Sequence, residues 1–259
     1  MADQAADAYV GVGVDIGGSG IKGAPVDLGS GAFTTDRVKI RTPHPSTPEA
    51  VAAVVARIVS SVGASAPPGT PLGVTFPGVV RGGTAETAAN VDDGWIGRDV
   101  EGLLSAATGR SVAAVNDADA AAVAEHRWGA ARGVRGTVLL TTLGTGIGTA
   151  LLVDGHLVPN TEFGHLEVDG HDAETRAASA AKEREELSYE DWATERLQRY
   201  YEEVEKLLSP DLIVIGGGVS RKADRFLKYL KLRAEVVPAG LRNAAGIAGA
   251  ALIAAERFA

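Results

Sequence analysis

The chain has 259 residues, enough for one large or two modest domains, and its 45% hydrophobic and 22% charged residues are ordinary for a globular protein. No apolar run reaches membrane-spanning length, the first residues lack the basic and apolar regions of a signal peptide, and the lack of cysteine excludes disulfides, thiolate zinc sites and a cysteine nucleophile, so the expected location is the cytoplasm. A net charge of −8 argues against general nucleic-acid binding but leaves room for an anion in a locally basic or glycine-lined site.

In chain order, V-G-V-G-V-D-I-G-G-S-G-I-K-G-A-P-V-D at 10–27 alternates like a strand, turns at Gly17, Gly18, Ser19 and Gly20, and resumes as a second strand. This predicts a hairpin, not the strand–loop–helix of a Walker-type phosphate loop. Residues 37–41 add a third strand. Thr47-Pro48-Glu49 starts a helix with proline in its first turn, running to about Ser61, and Gly63 fits its C-terminal cap. Residues 72–76 form a strand ending at Pro77-Gly78, and Asp99 caps a short helix through Ala107 that Gly109 stops.

In S-V-A-A-V-N-D-A-D-A-A-A-V at 111–123, Asn116 and Asp117 interrupt an apolar run. Residues 112–115 predict a short buried strand and 118–128 a helix. An aspartate at that handover can cap the helix, or it can act as a general base at the carboxyl end of a sheet, where ligands of α/β proteins bind. The stretch alone leaves both open.

A strand at 137–142, a turn at 144–148 and a strand at 149–153 follow, and Asp154-Gly155 is a two-residue hairpin turn leading to Leu157-Val158. Residues 183–206 predict one long charged helix with a solvated face, Ser188 and Asp191 forming a capping pair inside it. A buried strand at 211–215 leads into Gly216, Gly217 and Gly218. A helix over 221–232, a strand at 235–237 and a closing helix over 243–258 complete the chain; Gly246 and Gly249 suggest close packing in that last helix.

Ser19-Gly20-Ile21-Lys22-Gly23-Ala24 lines up with Thr145-Gly146-Ile147-Gly148-Thr149-Ala150. Unless the match is a coincidence of glycine-rich hairpins, the chain holds two related halves, each opened by a glycine hairpin, with the two turns facing each other across a cleft.

Such turns can present consecutive backbone N–H groups to phosphate oxygens, helped by the hydroxyls of Ser19 and Thr145; the alternative is a tight turn that needs positive φ. Asp15, beside the first turn, is a candidate magnesium-side ligand through water, or a turn aspartate bonded to its own backbone. Lys22 can reach a phosphate or stand solvated on its strand. Glu162, His165 and Asn160 in N-T-E-F-G-H suit a hydroxyl-rich ligand; without cysteine or a second well-spaced histidine the segment is a poor zinc site. After Gly217 and Gly218 come Arg221, Lys222, Arg225, Lys228, Lys231 and Arg233 against Asp224 alone. They read as a solvated helix or as a track for a long polyanion.

Together these motifs resemble the ROK family of sugar kinases over nearly the whole chain: D-I-G-G-S-G-I-K and L-G-T-G-I-G its two phosphate motifs, V-N-D-A the segment of its catalytic aspartate, E-F-G-H its sugar segment, and I-G-G-G-V-S its nucleotide-side motif. T-F-P-G-V-V, N-V-D-D-G-W and the stretch after E-F-G-H, which lacks the family's cysteine-rich zinc segment, are similar to a subgroup, the actinobacterial polyphosphate glucokinases. The resemblance implies an α/β, actin-like (ribonuclease-H-like) ATPase fold with two lobes around a central cleft. An amino-terminal lobe would span 8–115, completed by helix 244–259, and a carboxy-terminal lobe 116–243. It also implies transfer of the terminal phosphoryl group of inorganic polyphosphate, with ATP as a second donor, to the 6-hydroxyl of glucose, magnesium as cofactor, and a homodimer. Mannose is a further acceptor to consider. Asp117 would be the base, with glucose held by Asn116, Glu162, His165 and Glu174 near the Gly78 backbone. Glu167 is the second choice for the third carboxylate. Gly17, Gly18, Ser19, Gly20, Lys22, Gly144, Thr145, Gly146, Gly217 and Gly218 would bind the donor, and Asp15 the magnesium. The competing readings are a strictly ATP-dependent hexokinase, a non-catalytic sugar or nucleotide sensor, and a repressor; for the last, a first strand starting near Val10 leaves no room for a helix-turn-helix domain.

Overall fold

The computed structural model describes residues 9–62 and 65–259; the sequence start and the Gly63 cap expected above lie outside that set. The chain forms two units, one made of the sequence up to Ala124 with Ala244–Ala259, the other of Glu125–Asn243.

In the first unit, Val10–Ile16 (β1) and Ile21–Asp27 (β2) form the hairpin, with Asp15 opposite Lys22 and Ile16 opposite Ile21. Val38–Ile40 (β3) joins β2. Helix Pro48–Val62 (α1) carries proline in its first turn and buries Val51, Val55, Ile58 and Val62 at helical spacing. Leu72–Phe76 (β4) pairs parallel with β1. Two very short strands, Val80–Arg81 (β5) and Thr84–Ala85 (β6), follow; two residues carry no periodicity to read from sequence. The Asp99 carboxylate accepts the Gly102 N–H at 2.8 Å to start Val100–Thr108 (α2), and Gly109 at φ 68° ends it. Val112–Asn116 (β7) then runs parallel to β4, and Asp117–Trp128 (α3) begins without a break. The strand order is β3-β2-β1-β4-β7.

The second unit repeats this plan. Thr137–Leu143 (β8) and Ile147–Val153 (β9) make the hairpin, and His156–Val158 (β10) joins β9 across Asp154 and Gly155, both at positive φ as a two-residue turn requires. Glu167–Val168 (β11) and His171–Asp172 (β12) form a small hairpin, followed by Glu174–Ala177 (α4) and Ser179–Arg184 (α5).

The single helix expected over 183–206 is broken. Glu186 sits at φ 53°, and Ser188 starts a new helix by accepting the Asp191 N–H at 3.0 Å, so the capping pair is a true helix start. Tyr189–Asp191 (α6) passes through a wide π turn at Trp192–Leu197 into Gln198–Leu208 (α7). The stretch is also more than a solvated face: Trp192, Leu197, Tyr200, Tyr201 and Val204 are all buried.

Leu212–Gly216 (β13) runs parallel to β8, and Glu235–Pro238 (β14) parallel to β13, giving the order β10-β9-β8-β13-β14. The helix expected over 221–232 is replaced by 3-10 turns at Gly218–Arg225 and Leu227–Tyr229, with Lys222 off helical geometry. Buried Ser220, Ala223 and Phe226 stand three apart, which is the 3-10 repeat, not the 3.6 of an α-helix. In both sheets a hairpin and a third antiparallel strand precede two parallel strands, and the aligned glycine segments occupy the same place in each.

Ala245–Arg257 (α8) belongs to the first unit. A side chain at Gly13 would collide with the Ile247 carbonyl, one at Gly73 with the Ala250 carbonyl, and one at Gly249 with the Ala120 carbonyl. The glycines of V-G-V-G-V and L-G-V are therefore the seat of α8, and Gly249 seats α8 against α3. Among the described residues no helix is long and apolar enough to cross a membrane.

Candidate active site

In the first unit, the end of β7 is tied by Asn116. Its Oδ1 accepts the N–H groups of Ala118 at 2.8 Å and Asp119 at 3.2 Å, and its Nδ2 donates to the Gly78 carbonyl at 3.1 Å. Capping of α3 thus rests largely on buried Asn116. Asp117 stands exposed in the first helical turn, its Oδ1 accepting the Ala118 N–H at 2.9 Å. At Gly78 a side chain would collide with the Thr87 carbonyl.

Asp15 lies between two registered neighbours, Lys22 on β2 and Thr75 on β4. Lys22 Nζ donates to its Oδ2 at 3.1 Å, and Thr75 Oγ1 to its Oδ1 at 2.8 Å. The structure therefore pairs Lys22 with Asp15 rather than leaving it solvated. Thr75 is a site neighbour that the sequence reading missed. Its signal is a hydroxyl in the wholly buried strand L-G-V-T-F, which needs a partner.

None of Gly17, Gly18 and Gly20 has the left-handed φ that a tight turn would need. Space is the constraint: a Cβ on Gly18 would crowd Asn90 and one on Gly20 would crowd Lys39. The Gly20 N–H turns back to the Gly17 carbonyl at 3.3 Å, a carbonyl that also accepts the Thr42 hydroxyl, and Ser19 is exposed.

In the second unit the Gly144 N–H donates to the Gly146 carbonyl at 3.0 Å. The Gly144 carbonyl in turn accepts from Ser179 Oγ and the Ala180 N–H, both at 3.0 Å. Thr145 is exposed at the tip. A Cβ on Gly146 would strike the Glu174 carboxylate, whereas one on Gly144 or Gly218 would meet nothing within 4 Å. Neither Gly144 nor Gly218 has left-handed φ, so neither internal packing nor the left-handed region requires glycine there. Close approach of a ligand to the backbone does supply a reason. Gly217 has an internal reason: φ 79° and contact with the Leu143 backbone.

The segment after β10 is clasped to β9. Thr149 Oγ1 donates to the Thr161 carbonyl at 2.6 Å and accepts the Phe163 N–H at 3.0 Å, and Gly164 packs directly on the Ile147 carbonyl. Glu162 and His165 are thereby set close to Glu174, whose Oε2 accepts the Ile147 N–H at 3.1 Å. Burial pushes the Glu162 carboxyl above its ordinary pKa, with the Glu174 charge adding and His165 opposing. His165 Nδ1 lies 2.8 Å from Asp172 Oδ2, and that hydrogen bond leads in raising the imidazole pKa; burial opposes, and the charges of Glu174, Asp172 and Glu162 add. Glu167 pairs with Asp172 in the β11–β12 register and is exposed.

Asp172 was not singled out from sequence, yet its other oxygen accepts the Glu174 N–H at 3.2 Å, so it positions two residues at once. The available signal is the Asp169-Gly170 turn, which folds Asp172 back toward His165. Ligand atoms of His165, Asp172 and Glu174 lie within 4.8 Å of one another, a grouping that can also hold a cation and that a count of cysteines and histidines overlooks.

The sequence pattern of the ROK family matches residues 11–188. The chain is 51% identical to a polyphosphate glucokinase of Mycobacterium leprae (strain TN), over 93% of this chain and 74% of the relative. It is 50% identical to the polyphosphate glucokinase of Mycobacterium tuberculosis (strain CDC 1551 / Oshkosh), over 93% of this chain and 90% of the relative. Among solved structures it is similar to an inorganic polyphosphate/ATP-glucomannokinase from Arthrobacter sp. strain KM, with a TM-score of 0.90 and 52% identity over 96% of this chain and 99% of that one.

Proposed function

The chain belongs to the ROK family, and on that premise we propose that it is a polyphosphate-dependent glucokinase, transferring the terminal phosphoryl group of inorganic polyphosphate to the 6-hydroxyl of glucose. Identity of 50–51% over 93% of the chain to proteins of that activity carries the reading. The actin-like fold of ROK sugar kinases supports it.

In this mechanism glucose is held by Asn116, Glu162, His165 and Glu174, with the Gly78 backbone beside Asn116. Carboxylates accept from sugar hydroxyls, and the amide and imidazole can donate. Asp117 takes the proton of the 6-hydroxyl as its oxygen attacks the terminal phosphorus. The bond from that phosphorus to the bridging oxygen breaks, and the chain leaves one phosphate shorter with the bridging oxygen. Backbone N–H groups at Gly17, Gly18 and Ser19, at Thr145 and Gly146, and at Gly217 and Gly218 hold the donor, helped by Lys22, while Gly20 and Gly144, whose N–H groups bond within their own turns, let it approach the backbone closely. Asp15, oriented by the bonds its two oxygens accept from Thr75 and Lys22, would hold a magnesium ion through water. When bound, that ion supplies neutralising charge to the phosphates.

The test is glucose 6-phosphate formation with long-chain polyphosphate or ATP as sole donor. Product from polyphosphate is expected; product from ATP with none from polyphosphate overturns the reading and leaves an ATP-dependent glucokinase. Likeness to the Arthrobacter polyphosphate/ATP-glucomannokinase favours ATP as a second donor and mannose as a second acceptor. A cytoplasmic homodimer completes the proposal, and sedimentation of the purified protein checks its mass.

A further inference from the structure

Three cations converge on one tyrosine ring in the second unit. Lys182 Nζ and Arg225 Cζ each lie 4.3 Å from the Tyr189 ring centroid, and Lys222 Nζ lies 5.9 Å from it. They come from separate segments: Lys182 from α5, Lys222 and Arg225 from the 3-10 turns that follow Gly217. The ring itself is fixed. It lies near-parallel to Phe226 at 6.3 Å and edge-on to Trp192 at 6.3 Å, and both of those side chains are buried.

The charge is uncompensated. Among the described residues none of the three makes an ion pair, while Arg184, Arg196 and Arg199 on the same stretch of chain all do. Cations gathered around one ring repel one another, and the ring's quadrupole offsets only part of that. A polyvalent anion relieves the rest, because among the described residues no carboxylate holds any of the three cations in an ion pair, Asp224 between Lys222 and Arg225 included. The basic run seen in the sequence is not a continuous track. Lys228 sits over Tyr229, 5.0 Å from its centroid, and Arg233 turns to Glu205 at 3.7 Å. Lys222 and Arg225 are joined instead by Lys182, from outside the run.

We propose that Lys182, Lys222 and Arg225, gathered on Tyr189, bind the distal phosphates of the polyphosphate donor, the part of the chain beyond the group transferred. This rests on the polyphosphate-dependent reading above. The site makes and breaks no bond; it raises the residence of a long donor and does nothing for a short one.

The experiment compares the wild-type protein with a Lys182→Gln, Lys222→Gln, Arg225→Gln triple variant, using long-chain inorganic polyphosphate and ATP as separate donors. Exposed charge contacts are individually weak, and three together set the expected rise in KM for long-chain polyphosphate at about tenfold. kcat, KM for ATP and KM for glucose stay unchanged, and the dependence of the polyphosphate KM on salt becomes shallower. An unchanged KM for long-chain polyphosphate overturns the proposal. So does an equal rise for ATP, which would make the cluster part of the donor site common to both. If the triple variant fails to fold, Lys222→Gln and Arg225→Gln, both at exposed positions, carry the same comparison singly with a rise of about twofold each. If the wild-type protein phosphorylates glucose from ATP but not from polyphosphate, the functional reading has failed separately. Direct binding of long-chain polyphosphate then decides this site: retention by wild type and loss in the variant support it, and equal binding by both overturns it.

Discussion

Asn116 Nδ2 donates to the Gly78 carbonyl at 3.1 Å, while the Oδ1 of the same side chain caps the helix that Asp117 begins. One buried amide thus ties a strand end, a loop and a helix start. Asn116→Ala should cost about 1–2 kcal/mol of stability through the lost cap and should lower turnover as well. Asn116→Asp keeps an acceptor for the cap but loses the donation to Gly78, so it should retain most of the stability and little of the activity. Urea unfolding beside steady-state kinetics separates the two; equal activity in Asn116→Asp would show that the Gly78 tether is not needed.

Asp117→Asn keeps the shape and removes the base. Turnover should fall by about 10²–10⁴-fold, the usual contribution of a positioned general base, while glucose affinity measured by calorimetry stays close to wild type. Turnover that survives the substitution sinks the assignment of Asp117.

The Asp172 hydrogen bond raises the His165 pKa above its ordinary 6.5. A raised folded-state value means that the stabilisation is complete below about pH 6.5 and is lost as pH climbs through the higher folded value. The pair is partly exposed, so the effect on melting temperature should be small. An NMR titration of the imidazole in chelator-treated buffer should show a midpoint above 6.5 that moves back toward it in Asp172→Asn. A wild-type midpoint below 6.5 would contradict the arrangement. Asp172→Asn should also raise KM for glucose more than it lowers kcat, since Asp172 acts through His165 and Glu174.

Partial burial of the Glu162 carboxyl raises its pKa, the His165 charge opposing and the Glu174 charge adding, although the residue keeps an exposed edge. Its raised pKa makes it a cost to the fold at neutral pH, present once pH has risen through the folded value. Glu162→Gln should therefore raise the melting temperature at pH 7.5 only slightly, since the residue is partly solvated, and weaken glucose binding. Stability gained without loss of sugar affinity would remove Glu162 from the sugar set.

Two glycine substitutions should behave oppositely. Gly73→Ala drives a methyl into the Ala250 carbonyl of α8 and should cost about 1–3 kcal/mol or more by urea unfolding. Gly144→Ala meets nothing within 4 Å, so stability should be unchanged while KM for the phosphoryl donor rises. Unchanged donor kinetics in Gly144→Ala would argue that no ligand approaches that turn.

Elements whose signal lies within one segment were readable from sequence: the hairpins and α1 by a steady apolar period, β4 and α8 by near-continuous apolar runs. The errors fell where local signals compete. Ser188 reads equally as a helix start or an interior residue, and only the left-handed Glu186 decides. The 218–229 segment has helical composition, but its buried side chains follow a three-residue repeat. In the candidate site, Glu162 and His165 are neighbours in sequence and were legible together. Asp172 and Thr75 act through bonds to residues 7 and 60 positions away, which no single segment announces. The division of labour between Asn116 and Asp117 is a matter of side-chain direction, which spacing does not encode.

The placement of α8 has a consequence for synthesis. The seat formed by Gly13 and Gly73 is made early, but the helix that fills it is translated after all of Glu125–Asn243. The second unit, a contiguous segment, can fold on the ribosome while the first waits with an open apolar groove. Its completion depends on contacts between residues more than 170 positions apart, a slow step exposed to chaperones and to aggregation.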